Sequence, residues 1–197
     1  MGVACSGGTI ANITAMWTAR NNALGPRNSF QGVEKEGLRR GLLEYGYKDA
    51  CIVGSRLLHY SFKKAADLLG FGEEGLVLVD TDSKYRIKYF YLTTSTSNSM
   101  VVCSVEELKK TVQKLQKDNI LVIAIVAIVG TTETGSIDPI DAMYRVSSHH
   151  QIHLHVDAAW GGPLIYSRDH SHKLHGIHLA TSITVDGHKQ LYTPMGN

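Results

Sequence analysis

Leu121-Val122-Ile123-Ala124-Ile125-Val126-Ala127-Ile128-Val129 decides the fold. The run has no polar position and is mostly β-branched, so it reads as a strand covered on both faces. Together with Ile120 it is the longest apolar run in the chain, right for one buried strand and too short to span a bilayer. A strand without a wet face needs helices above and below it, and the flanking sequence supplies them. Upstream, Ser104-Val105-Glu106-Glu107 is a capping box, and Val105, Leu108, Val112 and Leu115 follow at helical spacing. Downstream, Asp138-Pro139 pairs an N-cap residue with a proline at the first helical position, predicting a helix to about His149.

Farther out the alternation continues. Ala50 to Val53 and Leu76 to Val79 read as short strands, with a helix from Ser61 to Leu69 stopped at Gly70 between them. Gly7-Gly8-Thr9 opens a helical pattern from Ile10 to Leu24 that ends at Gly25-Pro26. Ile152 to Asp157 and Ser182 to Asp186 complete the strands. Strands separated by helices of this length predict an α/β fold, a mostly parallel sheet flanked by helices. Its crossovers should gather the strand ends, and the loops after them, at one edge where ligands bind. Asp157, Thr131-Thr132 and Lys189 all fall at or just after such ends.

With 197 residues, 43% of them hydrophobic, the chain holds one sizeable core, and no repeat or low-complexity linker divides it. A net charge of +2 argues against a nucleic-acid surface, and no leader or membrane segment is recognisable. Cys5, Cys51 and Cys103 are scattered, without a CxxC pair, as suits a reducing cytoplasm.

The chemistry concentrates late. His155-Val156-Asp157-Ala158-Ala159-Trp160-Gly161-Gly162 is followed, 32 positions after Asp157, by Lys189 within Thr184-Val185-Asp186-Gly187-His188-Lys189-Gln190-Leu191. An acid and an amine at neighbouring strand ends can grip one flat, electron-poor cofactor from two sides, as pyridoxal phosphate requires. Lys109, Lys110, Lys114 and Lys117 read instead as a wet helix face. Burial beside positive charge would make the Lys189 amine a usable nucleophile. Asp157 is open to other readings, a helix cap or a metal ligand. Ser6-Gly7-Gly8-Thr9, leading into a helix, is a plausible phosphate cradle, although glycines before helices are common. His59 either stacks on a planar ring or is an ordinary surface histidine. His149, His150, His153 and His155 cluster, as do His170, His172, His175 and His178, but neither set matches HExxH or a Cys/His zinc spacing, so no metal is expected.

In order and spacing these motifs, from Ser6-Gly7-Gly8-Thr9 with Ala19-Arg20-Asn21 to the lysine segment, resemble the group II pyridoxal-phosphate-dependent amino-acid decarboxylases over nearly the whole chain. The resemblance implies the large domain of a fold-type I enzyme. In it Lys189 is the Schiff-base lysine and Asp157 the partner of the pyridine nitrogen. His59 is the stacked catalytic histidine, Gly8 and Thr9 bind phosphate, Thr132 lies near the cofactor and Ala159 packs on the ring. Asp186 sits near the phosphate, and His188 precedes the lysine. Gly187 and Gln190 stand where many members have proline and tryptophan. This form is similar to the bacterial subgroup that includes aspartate 1-decarboxylases.

The resemblance implies decarboxylation of an acidic amino acid, aspartate or glutamate, through the Lys189 Schiff base and a quinonoid carbanion, in a cytoplasmic homodimer. Alternatives are an aldehyde-forming or lyase reaction on the same scaffold, or an inactive cofactor-binding or oligomerisation fragment. Family members are much longer. Residues 1–197 are therefore expected to be a central fragment of the large domain, without the N-terminal segment, the C-terminal small domain or the mobile catalytic loop.

Overall fold

In the computed structural model, which describes residues 2–81 and 105–194, helices and strands alternate along the chain. Their order is α1 (Gly8–Ala23), α2 (Val33–Glu36), α3 (Leu38–Tyr45), β1 (Asp49–Ser55), α4 (Ser61–Leu68), β2 (Leu76–Val79), α5 (Val105–Lys117), β3 (Ile120–Ile128), α6 (Ile140–His149), β4 (His153–Asp157) and β5 (Ser182–Thr184). Short 3-10 turns link β4 to β5. The strands form one sheet in the order β2-β1-β3-β4-β5, with every pairing parallel. The α/β expectation holds.

The apolar run is the middle strand, and two layers of helix explain why it lacks a polar face. Phe62, Ala65 and Ala66 of α4, with Met16 and Ala19 of α1, pack on Ile52, Ala124 and Val126 on one side of the sheet. Leu108 and Val112 of α5, with Ile140 and Met143 of α6, pack on Val53, Ile125 and Ala127 on the other. Alternate residues of one strand thus feed two separate cores. A register shift between Cys51 and Ile52 places Ile123 as an extra residue in β3, so Ile123 and Ala124 both face the α1 side.

β1 sits between β2 and β3, so the chain leaves it in one direction and returns on its other side. In doubly wound sheets that reversal opens a crevice beyond the carboxyl ends of the strands. The site lies there.

One local expectation changes. The helix after β3 starts at Ile140 with Pro139 as its N-cap residue, and the Asp138 carboxylate accepts the Ile128 amide at 2.9 Å. Asp138 thus ties the loop back to the end of β3. Ser104, the first residue of the expected capping box, lies outside the described residues. Helices α2 and α3 were not anticipated; Val33 of α2, with Leu38 and Leu42 of α3, closes a small cluster around Leu24 and Phe30.

Burial settles the role of one cysteine. Cys51 sits inside β1, and burial, with the nearby Asp49 charge, pushes its thiol up to about 12. That thiol is packing rather than a nucleophile.

Candidate active site

A cleft of about 1030 Å³ opens at the carboxyl edge of the sheet. It gathers Gly8 and Thr9 at the start of α1, His59 after β1, Thr132 after β3, Asp157 and Ala159 at the end of β4, and Asp186, His188 and Lys189 after β5. All nine residues expected to form the site line this one cavity. Chain separations of more than a hundred residues are closed because parallel strands deliver their C-terminal loops to the same edge.

Asp157 is 6% exposed. Its Oδ2 accepts the Asn12 Nδ2–H at 2.9 Å, and its Oδ1 accepts the Ala159 amide at 3.1 Å. Burial pushes this carboxyl above its ordinary range, while the Ala159 and Asn12 hydrogen bonds, then Lys189 and His59, pull it back. Its roles as helix cap or metal ligand receive no support, since its bonds go to an amide side chain and its own turn. Among the described residues no group of three or more His, Cys, Asp or Glu side chains is placed to hold a metal ion.

Lys189 departs from expectation in its surroundings. Its side chain is 36% exposed, and Nζ lies 3.0 Å from Oδ2 of Asp186, so an acid rather than a cation is its near neighbour. Asp186 is itself buried, with His188 Nε2 3.9 Å from the same oxygen. The tight turn after β5, in which the Thr193 amide donates to the Gly187 carbonyl, brings acid and lysine together three residues apart.

The first turn of α1 lines the cleft without a side-chain cap and without an acidic residue of its own. Such a helix start attracts anions. Gly8 is required there by close approach, since a Cβ would lie 2.6 Å from Oδ2 of Asp186. Gly8→Val is therefore expected to displace Asp186 from Lys189 and weaken pyridoxal phosphate binding by on the order of tenfold or more, about 1.4 kcal/mol. Equilibrium titration by cofactor fluorescence measures this, and wild-type affinity in the variant would refute the role given to this contact.

Both members of the threonine pair line the cleft; Thr132 is exposed, whereas Thr131 is buried, its hydroxyl 2.7 Å from that of Thr134. Gly130 before them has φ +89, and a Cβ there would meet Trp160 at 2.7 Å, so the loop depends on glycine. His59 is half-buried, with Nδ1 2.9 Å from the Ser61 hydroxyl. Burial lowers its pKa; Asp157 opposes this, Lys189 reinforces it, and Asp186 and Glu133 oppose it.

The clustered histidines have contacts of their own. His153 Nε2 and His155 Nδ1 both meet the Ser182 hydroxyl, at 2.6 and 2.8 Å, while His149 and His150 stack edge to face. His170, His172, His175 and His178 are exposed. Burial depresses His155 to about 3, with neighbouring His153 adding to the effect, and depresses His153 to about 4. Between those values and 6.5 the folded chain binds fewer protons than the unfolded one, so stability rises with pH there and is lost as pH falls from 6.5. Each histidine contributes a slope of up to about 1.4 kcal/mol per pH unit. Urea midpoints across this window measure the slope. A slope unchanged by His153→Gln would assign the loss to carboxylates instead.

Asn12, Ser61, His155 and Ser182 were not anticipated as site residues. A signal for Asn12 exists: Asn12, Met16 and Ala19 form the buried stripe of α1, and one of the three is a polar amide. A buried polar side chain on an apolar stripe has a partner to satisfy.

A buried carboxylate, a lysine and an uncapped helix start thus lie around one crevice at the carboxyl edge of a parallel sheet. Residues 1–196 match the pyridoxal-dependent decarboxylase conserved domain, and the chain belongs to that family. It is 45% identical to aspartate 1-decarboxylase of Aliivibrio fischeri over 196 residues, all of this chain and 33% of that protein. It is 33% identical to human acidic amino acid decarboxylase GADL1 over 190 residues, 96% of this chain and 31% of that protein. The crystal structure of mouse CSAD in apo form superposes with a TM-score of 0.82 at 30% identity, covering all of this chain and 35% of the other. The chain thus spans about a third of the length of these relatives. No helix among the described residues is long and apolar enough to cross a membrane.

Proposed function

We propose that this chain is the central part of the large domain of a pyridoxal-phosphate-dependent carboxy-lyase that removes the α-carboxylate of an acidic amino acid, aspartate or glutamate. The observation that carries the reading is the single cleft shared by buried Asp157, Lys189 and the open start of α1. The relatives named for aspartate and for acidic amino acids support the substrate class. When bound, pyridoxal phosphate supplies an electron-poor ring that takes up the electron pair left when CO2 departs.

The residues divide the remaining work. Asp157, already accepting two N–H bonds, offers its charge to a protonated ring nitrogen. Lys189 would supply the primary amine that holds the aldehyde, and its free ammonium would carry a proton inside the cleft. Asp186 keeps that amine aimed by an ion pair at 3.0 Å. The amides of Gly8 and Thr9 serve the phosphate through the helix start. Ala159, His59, Thr132 and His188 line the cleft, where Ala159 and His59 would pack against a flat ring. Ala159 is small enough to let the ring approach the backbone that carries Asp157.

The reading extends to a cytoplasmic homodimer. Exposed Trp17, Tyr166 and Tyr192 are the kind of surface that further chain or a second subunit covers. The test is CO2 release by the protein at its full natural length, loaded with pyridoxal phosphate and offered aspartate, glutamate and a neutral amino acid. The expected result is release from an acidic substrate and formation of the matching amine. Cofactor binding without CO2 from any amino acid would overturn the decarboxylase assignment.

A further inference from the structure

Behind the cleft runs a chain of buried and half-buried side chains joined by hydrogen bonds, and its direction follows from elementary bonding rules. An ionised carboxylate only accepts, so the Asn12 side chain must turn its NH2 toward Asp157. Both hydrogens are used: one goes to Asp157 Oδ2 at 2.9 Å, the other to Ser61 Oγ at 3.0 Å. Asn12 Oδ1 can then only accept, which makes His155 Nε2, 3.1 Å away, a donor. His155 is fully buried between Phe62, ring centroids 5.8 Å apart, and the sheet, so it stays neutral and Nδ1 is bare. Ser182 therefore donates to His155 Nδ1 and accepts from His153 Nε2.

The other branch ends at His59. Ser61 Oγ accepts from Asn12, leaving its own hydrogen for His59 Nδ1 at 2.9 Å. The Ser61 backbone amide also points at that nitrogen, at 3.3 Å. Two donors converging on Nδ1 leave no room for a proton there, so the ring proton of neutral His59 is on Nε2.

We propose that Asn12 is a positioning residue whose one amide holds Asp157 as an acceptor-only carboxylate and, through Ser61, sets His59 as the Nε2–H tautomer. The proposal rests on the reading of Asp157 and His59 as cofactor-site residues. It adds that the two are set by one side chain, so carboxylate and histidine answer to the same amide. The Asp157 carboxylate fixes that amide against a flip, because rotation by half a turn would face Asn12 Oδ1 toward it, and His155, Ser182 and His153 take their hydrogen-bond directions from the amide so set.

Side-chain nitrogen NMR of the full-length protein labelled with 15N-histidine tests this without cofactor. The two-bond couplings of each ring identify which nitrogen bears hydrogen. Wild-type His59 and His155 are expected as Nε2–H tautomers. Ser61→Ala should turn His59 into a tautomer mixture while His155 keeps its pattern, and Ser61→Thr, which retains the hydroxyl, should restore His59. Asn12→Asp places a second carboxyl against Asp157, so one of the pair takes up a proton; with cofactor added, kcat should fall at least tenfold with KM little changed. A wild-type His59 protonated on Nδ1, or Ser61→Ala and Asn12→Asp both indistinguishable from wild type, would overturn the proposal. Failure of wild type to bind pyridoxal phosphate, with the tautomers as expected, would overturn the functional reading alone.

Discussion

Lys189→Ala is expected to remove the visible absorbance of the lysine-bound cofactor and to lower kcat by on the order of 10^4-fold, the upper range for one positioned proton-handling side chain. In the proposed function the lysine would act twice, as the amine that holds the aldehyde and, when free, as a proton carrier in the cleft. Asp186 shows how the side chain is aimed: a buried carboxylate three residues earlier in the same turn, 3.0 Å from Nζ. Lys114→Ala, on the solvent side of α5, is the control and should match wild type in absorbance and rate. If both variants lose the band equally, the absorbance reports nonspecific lysine adducts and the assignment of Lys189 fails. Lys189→Ala also takes the ion-pair partner from buried Asp186, so the thermal midpoint of the cofactor-free protein should fall, and the double variant Lys189→Ala with Asp186→Asn should regain part of that loss without regaining the absorbance.

Asp157→Asn is the second large effect. A charge pair at ~4 Å is worth roughly 4 kcal/mol at an effective dielectric near 20. Losing that from the step in which the ring accepts electrons corresponds to about a thousandfold in kcat. The substitution keeps the shape, and Oδ1 can still accept the Ala159 amide, so the fold should persist. The amide, however, turns an NH2 or a neutral oxygen toward Asn12, and it cannot hold a ring nitrogen protonated at neutral pH. The expected outcome is a protein that still binds cofactor through Lys189, with a shifted absorbance titration and little CO2 release. Turnover within tenfold of wild type would show that the carboxylate is not the electronic partner of the ring. Substitution by Ala would confuse this test, because it leaves Asn12 with an unpaired buried N–H.

The sheet was legible because its strands carry dense local signals. The run from 121 to 129 had to be covered on both faces, and α1 and α4 on one side with α5 and α6 on the other do cover it. That the site residues would meet at the carboxyl edge also followed, since parallel sheets deliver their loops there. The strand order β2-β1-β3-β4-β5 was not legible, because nothing local to β1 says that β2 and β3 take opposite sides of it. Helices α2 and α3 escaped because they are short and glycine-punctuated: Gly32 and Gly37 precede them with φ +104 and +81, and neither helix has room for a long apolar period.

The environment of each site residue was harder to read than its identity. Lys189 was expected beside positive charge and sits beside Asp186, because the backbone of the turn, not the residue types, decides which side chains meet. His153 and His155 belong to a histidine cluster whose spacing fits no metal motif, and its members in β4 hold Ser182 of β5 between their ring nitrogens. Spacing along one strand told which face they share, but the partner came from the neighbouring strand. Asn12 lay unnoticed within a good helical pattern for a related reason: a period identifies a buried stripe, and only the fold shows what the one polar member of that stripe touches.

The functional assignment stands or falls with Lys189 as the residue that holds the cofactor's aldehyde. The decisive experiment is to reduce the full-length, pyridoxal-phosphate-loaded protein with borohydride, digest it and locate the phosphopyridoxyl group by peptide mass spectrometry. One stoichiometric label is expected, on the peptide containing Gly187-His188-Lys189-Gln190. A label on another lysine, or full turnover with none on Lys189, would contradict the assignment.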